Sequence, residues 1–511
     1  MKKLNNIFKF FIYLLPFALL FSYYPVIPFG SDGLMNFELS VPLIWLLVFD
    51  IFGICLLFYR DGFRRVFGEI FRNYRWLLFP AFLTLSCAWS PNMVRGILTV
   101  GILWLIYLAG FLFYSFRNLL DKKFWQRFRK AFFGAGIFIC IVLVLQCVLD
   151  LSGVSREYTL MCAGCTYKSF GFPHPNGFAI EPQFMGNLLL APMLIASKEI
   201  LTVACPAGTL RAALAESSCP AKHVTAKISL LVFALATGLF LTFSRGAIYA
   251  GVVGLVFLTT FEVVRTKKWN KVLKIWGVVV LAFLFTLNLQ GVMAEVSKTD
   301  DAYVSGVAKV LNHLSLGIID IRGEKVKEDE TEEKMLEIVG AGERVRLDES
   351  SKGAEEAVEL DAILEEEGKE EAYFDGYVVE STDVRVGMTS AAVRTWQKDY
   401  RTILIGTGLG GAGVAMYENG ETEWSKEIVQ NQYASLLLET GVVGISLLAF
   451  SFVLLVREVL RRKQAGLILV LMMAYGVSLF FFSGLPNVLH MYLFLALLMQ
   501  EDKCEFSTDL P

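Results

Sequence analysis

The sequence predicts an all-α polytopic membrane protein of about twelve transmembrane helices, with a large extracytoplasmic loop between helices 9 and 10. Three observations carry this expectation. The chain of 511 residues is 55% hydrophobic, and its apolar residues gather in long runs such as "LSVPLIWLLVFDIFGICLLFY" (Leu39 to Tyr59) and "ILTVGILWLIYLAGFLFYSF" (Ile97 to Phe116). Each run has roughly the 20 residues that cross about 30 Å of hydrocarbon. The basic residues gather between particular runs, and one long hydrophilic region interrupts the pattern late in the chain.

The spans run approximately 7–26, 39–59, 76–90, 97–116, 131–152, 178–197, 227–243, 246–264, 272–292, 441–456, 464–483 and 485–499. The start "MKKLNNIFKFFIYLLPFALLF" has the charged head and apolar run of a signal peptide, but no small-x-small cleavage site follows, so it reads as a retained first span. Basic clusters at Arg60 to Arg75, Arg117 to Lys130, Arg265 to Lys274 and Arg457 to Lys463 are expected in the cytoplasm. "FGSDGLMNFE" (Phe29 to Glu38) has no Lys or Arg and falls outside. Both termini are thereby placed inside, in a multi-pass protein of the cytoplasmic membrane. Spans seven and eight nearly touch, so the chain is expected to turn at Ser244 to Gly246 on the outer side.

Three regions follow: helices 1–9 over residues 1–292, the extracytoplasmic loop over 293–440, and helices 10–12 with a short tail over 441–511. The loop divides in turn. About 298–380 is acidic with dense mixed charge and few aromatics, which reads as a solvated helical excursion or a partly disordered insertion. About 389–440 carries an amphipathic helix, a glycine-rich turn and "VQNQYASLLLETGVVGIS" (Val429 to Ser446), where polar residues meet the head of a span.

The net charge of −2 arises from segregated rather than mixed charges and gives no sign of a nucleic-acid partner. Of nine cysteines, Cys55, Cys87, Cys140 and Cys147 fall in spans as apolar packers. Cys162 and Cys165 in "CAGC" fall in an outer loop, where an oxidising compartment would allow a small disulfide. No second cysteine pair or histidine completes a zinc site, so neither a metal nor a cofactor is expected.

Outward-facing groups near the membrane supply the candidate site. Arg95, Arg156, "GFPHPNGFAIEPQ" (Gly171 to Gln183), "FSRG" around Arg245, "SAAVRTW" around Arg394, "GTGLGG" and "QNQY" come from distant segments onto one face. A guanidinium is always charged and its fork matches phosphate oxygens, so such arginines point to a phosphate or pyrophosphate on a lipid. Each residue also has a plainer reading. Arg245 can snorkel at a helix end, though the flanking Ser244 and Gly246 in a tight turn favour function. Arg394 can be merely solvated. Glu181, near the start of a span, is expected to pair with an arginine or take part in proton transfer. His174, stiffened by Pro173 and Pro175, can be structural. "GTGLGGAG" superficially matches a dinucleotide loop, but no strand precedes it. A tight turn that can present amides to an anion is the better reading for Gly408 and Gly410.

In order and sidedness, "LTFSRGAIYAGVVGL", the large outer loop, "LIGTGLGGAGVAMY" and "VQNQYASLLLETGVVGI" resemble the bacterial O-antigen ligase and O-antigen polymerase superfamily of lipid-linked glycan transferases. "FPHPNGFAIEP" is similar to a segment of polysaccharide polymerases in this group, and the resemblance covers roughly Gly171 to Ser446. It implies metal-independent transfer of a glycan from an undecaprenyl-pyrophosphate donor to a hydroxyl on a glycan or lipid acceptor, as in lipopolysaccharide and related envelope polymers. Arg245 and Arg394 would hold the pyrophosphate; Ser244, Asn176, Asn431, Tyr433, Gly408 and Gly410 would line the substrate. The family's ligases typically carry a His followed by Asn where this chain has Gln430 and Asn431, and Gln cannot take a proton. Either the acceptor is only oriented, or His174, Glu181 or Glu439 is the base, or the chain is a degenerate member. A twelve-helix transporter of a lipid-linked or small solute is the alternative from another class, although its usual matched halves and midplane polar residues are not seen.

Overall fold

The computed structural model describes residues 2–31, 36–62, 66, 68, 74–154, 173–202, 220–267, 269–296, 302–315, 384–462, 464–483 and 488–501. Cys162, Cys165, Arg156 and most of the acidic segment lie outside these residues. The chain divides into two units: residues 1–144, 176–284 and 387–511 form the first, and 145–175 with 285–386 the second.

The first unit is a helical assembly. α1 (Lys2–Leu20) leads to a hairpin, β1 (Val26–Ser31) and β2 (Asn36–Ser40), antiparallel with Val26 opposite Ser40. That hairpin occupies the stretch expected as a simple outer loop. α2 (Val41–Asp61), α3 (Leu78–Ser86) and α4 (Met93–Ser115) follow, then α5 (Lys122–Leu151), α6 (Pro182–Thr202), α7 (Pro220–Leu241), α8 (Arg245–Thr266) and α9 (Trp269–Val296). The last residues of α5 and α9 belong to the second unit, which also holds α10 (Ala302–Leu314), with Ala308 and Val310 buried. α11 (384–396), α12 (Tyr400–Ile405) and α13 (Ala412–Glu418) precede α14 (Gln432–Leu460), α15 (Ala465–Ser478) and α16 (Leu489–Leu498).

Among the described residues, nine helices are long and apolar enough to cross a membrane: α1, α2, α4 to α9 and α14. This is an all-α polytopic membrane protein. The three remaining expected spans, 76–90, 464–483 and 485–499, fall on the shorter α3, α15 and α16. α3 ends early because Cys87–Trp89 tightens into a 3₁₀ turn, and the Ser86 hydroxyl donates back to Leu83 O at 2.8 Å.

α6 is the axis of the unit, buried along its length from Pro182 to Leu201. A helix without a polar stripe has to be covered on all sides, and α7, α8 and α15 pack on it. α8 runs parallel to it. A side chain on Gly186 would meet Ala247 Cβ at 2.7 Å, and one on Gly254 would meet Leu194 Cδ1 at 2.9 Å. Small residues are what allow helices to approach closely where lipid supplies no hydrophobic drive.

The two ends of α6 differ. At its C-terminal end Arg129 of α5 pairs with Glu199 (3.7 Å) and with Glu501 beyond α16, and Lys198 donates to Gln464 Oε1 at the head of α15. Lys271 Nζ donates to Leu201 O at 2.7 Å. Glu501 is only 6% exposed, and burial pushes its carboxyl above the ordinary range while Arg129 pulls it back. Removing one member of such a network strands the others. Arg129→Ala is expected to destabilise the protein by about 3 kcal/mol or more, read as a lowered unfolding temperature in detergent; Arg129→Ala with Glu501→Gln should recover part of the loss.

A second device joins α14 to α3, α4 and α12. Inside α14, Gly441 takes φ 60° and ψ −169°, which breaks the helix. The break leaves Leu438 O and Glu439 O without intrahelical donors, and the glycine-rich turn supplies them: Thr407 N–H to Leu438 O and Gly408 N–H to Glu439 O, both 2.9 Å. Gly410 N–H donates to Glu439 Oε1 (3.1 Å) and Leu409 N–H to Ser86 Oγ (3.4 Å). Gly406, Gly408 and Gly410 have φ of 72°, 95° and 79°, and a Cβ on Gly406 would lie 2.3 Å from the Glu439 carbonyl carbon. Gly406→Ala therefore combines left-handed strain of about 1–2 kcal/mol with a backbone clash. Gly420, at φ 70° with open space around it, bears only the strain. Thermal unfolding should rank Gly420→Ala as mild and Gly406→Ala as severe.

Candidate functional site at converging helix N-termini

α8 begins at a turn built by the local sequence. Thr242 Oγ1 donates to Leu239 O at 2.7 Å and closes α7, Phe243 takes φ 45°, and Ser244 adopts the extended geometry of an N-cap. The Ser244 hydroxyl accepts from Ala247 N at 3.4 Å, satisfying one of the open donors of the first turn. Arg245 is the first residue of the helix and is 4% exposed.

The start of α6 lies against that turn. Pro182 opens the helix, where its missing N–H costs nothing. Gln183 follows, and a side chain on Gly246 would place its first carbon 2.8 Å from Gln183 Nε2 and 2.7 Å from Phe481 Cβ. One turn on, Asn187 Oδ1 accepts from Ser478 Oγ at 2.5 Å.

The N-terminus of α14 joins the same neighbourhood through the C-terminus of α15. Asn431 is its N-cap, accepting from Tyr433 N (3.0 Å) and Ala434 N (3.2 Å). Gln432 N–H donates to Leu479 O at 3.0 Å, Tyr433 OH donates to Gly476 O at 2.8 Å, and the Tyr433 ring lies 4.5 Å from that of Phe480. Ser478 and Phe481, flanking Leu479, touch Asn187 and Gly246. The polar residues that crowd the entry to this span thus satisfy one another and α15.

Three helix N-termini, those of α6, α8 and α14, gather around the end of α15. Each carries a partial positive charge from its unpaired N–H groups, and Arg245 adds a full one. Such a place favours an oxyanion ligand.

The other expected site residues are distributed as follows. Asn176 is fully buried and its Nδ2 donates to Ala179 O at 2.6 Å. Glu181 is exposed, one residue ahead of α6. His174 is 7% exposed and belongs to the second unit. Gln430 is half-buried just ahead of α14. Gly408 and Gly410 spend their amides on Glu439, so that this turn braces α14. Arg394 sits on α11, which packs through Ala391 and Ala392 against Met416, Val429, Ala434 and Leu438. Its own side chain is exposed and bonds Glu421 Oε2 through Nε at 2.7 Å. Beside it Asp399 caps α12; the Thr402 N–H (2.8 Å) and hydroxyl (3.0 Å) hold its carboxylate below the ordinary range, so the support this cap lends is present at neutral pH and lost as the pH falls through that lowered range.

Asn187 and Ser478 were missed as site residues by sequence reasoning, and Gln183 and Gln432 were taken only as members of the segments Gly171 to Gln183 and "QNQY", without roles of their own. A signal existed for Asn187, since it lies four residues after Gln183 on one face of the otherwise apolar first half of the helix.

No family model matches the chain, and neither a curated protein nor a solved structure matches it. The candidate site therefore rests on its own geometry. Because Asn431 caps α14, Asn431→Ala should cost about 1 kcal/mol, whereas Asn431→Asp should keep the cap; denaturation in detergent with both variants reads the difference.

Proposed function

We propose that the protein is a membrane glycosyltransferase of the O-antigen ligase or polymerase type, moving glycan from an undecaprenyl-pyrophosphate donor to a hydroxyl acceptor. The observation that carries this reading is Arg245: a permanent cation, almost fully buried, in the first turn of a helix and beside the N-termini of two others. A diphosphate on a lipid is the anion that reaches such a depth. The topology that fits has about twelve crossings, counting α3, α15 and α16, with both termini in the cytoplasm and the converging N-termini facing outward.

In the reaction the acceptor oxygen attacks the anomeric carbon and the bond from that carbon to the pyrophosphate oxygen breaks. Negative charge then grows on the leaving group, and preorganised donors stabilise it more in the transition state than in the ground state. Arg245 and the helix N-termini serve this role, and Arg394, exchanging Glu421 for phosphate, adds a second guanidinium. The acceptor's proton leaves through Glu181 or Glu439, because Gln430 can only orient a hydroxyl.

The test is transfer by the purified protein in nanodiscs, with an undecaprenyl-pyrophosphate oligosaccharide as donor and chelator present. Longer lipid-linked chains are expected from the wild type. Arg245→Ala should lower the rate by about 100-fold or more, and Arg245→Lys should not restore it, because Lys keeps the charge and loses the fork. A gain with Gln430→His would identify proton removal as limiting. A wild-type protein that binds donor without transferring to any of several acceptors would refute the reading.

A further inference from the structure

The turn at Arg245 has a neighbour with unused hydrogen-bonding capacity. Gln183 is 7% exposed and its Nε2 has no hydrogen-bond acceptor among the described residues. Asn187, fully buried on the same face of α6, accepts from Ser478 through Oδ1, and its Nδ2 likewise has no acceptor there. A buried amide donor left without a partner costs on the order of 1–3 kcal/mol, so two of them side by side mark a place built for something else to accept. The position of Gln183 says what. Its Nε2 lies beside Gly246, in the first turn of α8 and next in sequence to Arg245, and the absence of a Cβ at Gly246 is what makes room for it. Neither of the first turns carries a carboxylate: α6 holds Gln183, Phe184, Met185, Gly186 and Asn187 there, and α8 holds Gly246, Ala247, Ile248 and Tyr249. Two open amide donors next to a guanidinium favour an oxyanion, which offers only acceptors.

We propose that Gln183 is a ligand-binding residue of the Arg245 site, its side-chain N–H donating to an oxygen of a lipid-borne diphosphate at the first turn of α8, with Asn187 as the adjoining donor. This rests on the function proposed above and assigns it residues that the arginines alone do not supply. Gln183 thereby neutralises no charge; it orients one phosphate oxygen while Arg245 carries the electrostatics.

Binding tests it without turnover. Protein in nanodiscs is titrated with farnesyl diphosphate and, separately, with inorganic pyrophosphate, for wild type, Gln183→Met, Gln183→Glu and Arg245→Ala, with thermal unfolding of each measured in parallel. Gln183→Met removes one donor at similar volume and should weaken farnesyl diphosphate binding about five- to tenfold. Gln183→Glu puts a carboxylate beside Arg245 that repels and competes with the anion, so binding should fall further than in Gln183→Met. A purely packing role would not weaken binding in this order, because Glu is the closer match to Gln in shape. If both Gln183 variants remain folded and bind like wild type while Arg245→Ala loses binding, the assignment of Gln183 is wrong and the function proposed for the site stands. If Arg245→Ala also binds like wild type, both fall. Equal affinity for inorganic pyrophosphate and farnesyl diphosphate would overturn the lipid-borne source.

Discussion

A peptide group at membrane depth has to find its partner within the protein, because lipid offers none. The break in α14 at Gly441 turns that constraint into architecture. Breaking a helix there releases the carbonyls of Leu438 and Glu439, and the chain answers with a glycine-rich turn whose amides reach them at 2.9 Å. The turn can come that close only because Gly406, Gly408 and Gly410 lack side chains and accept positive φ. Its other contacts, Ser86 and the backbone at Gly96, then fix α3 and α4 relative to α14. Glu439 completes the set by accepting from Gly410. Position, charge and glycine content in this region thus follow from one unsatisfied pair of carbonyls.

The fixed elbow matters for the candidate site because it sets the approach of α14. The first turns of α14 pack through Ala434 and Leu438 on the cap formed by α11 and α13, while Gln432 and Tyr433 hold α15. α15 in turn meets α6 at Asn187 and α8 at Gly246. The N-termini are therefore held by direct hydrogen bonds and close packing onto α15, and preorganised dipoles of this kind do not have to reorient when charge develops. The opposite end of α6 is held by another principle, an ion-pair network through Arg129, Glu199 and Glu501.

Much of this fold was legible in the sequence. Runs of about 20 apolar residues separated by basic clusters announce the long helices, and the turn between α7 and α8 follows from "FSRG", though the structure places its bend at Thr242 to Ser244 and starts the helix at Arg245. The hairpin at 26–40 was not legible, because "FGSDGLMNFE" has turn-forming residues but no clear alternation. α3 and α15 were read too long for a physical reason: apolar composition persists through residues whose backbone has already turned, as at Cys87–Trp89. For the site, the sequence singled out Arg245 and Ser244 by charge and turn chemistry. The resemblance assigned Asn431 and Tyr433 to a substrate, and the residues alone left open whether the polar groups at this span's entry hold a ligand or each other; in the structure Asn431 caps the helix and Tyr433 bonds Gly476. Whether a polar side chain is spent on its own backbone is a property of three-dimensional neighbours, and no spacing reveals it.

That distinction between spent and available donors sorts the polar residues near the three N-termini. Asn431 and the amides of Gly408 and Gly410 are committed to the chain itself, and Tyr433 donates to it. Those atoms shape the site and are spent on the chain. Gln183 Nε2 and Asn187 Nδ2 are buried donors with no such commitment among the described residues. In a folded protein nearly all buried polar groups are satisfied, so exceptions that cluster beside a buried cation and a helix N-terminus are where a negatively charged ligand would gain most. The residues most conspicuous in the sequence thus build the frame, apart from Arg245, and two plain amides on an apolar helix offer the hydrogen bonds.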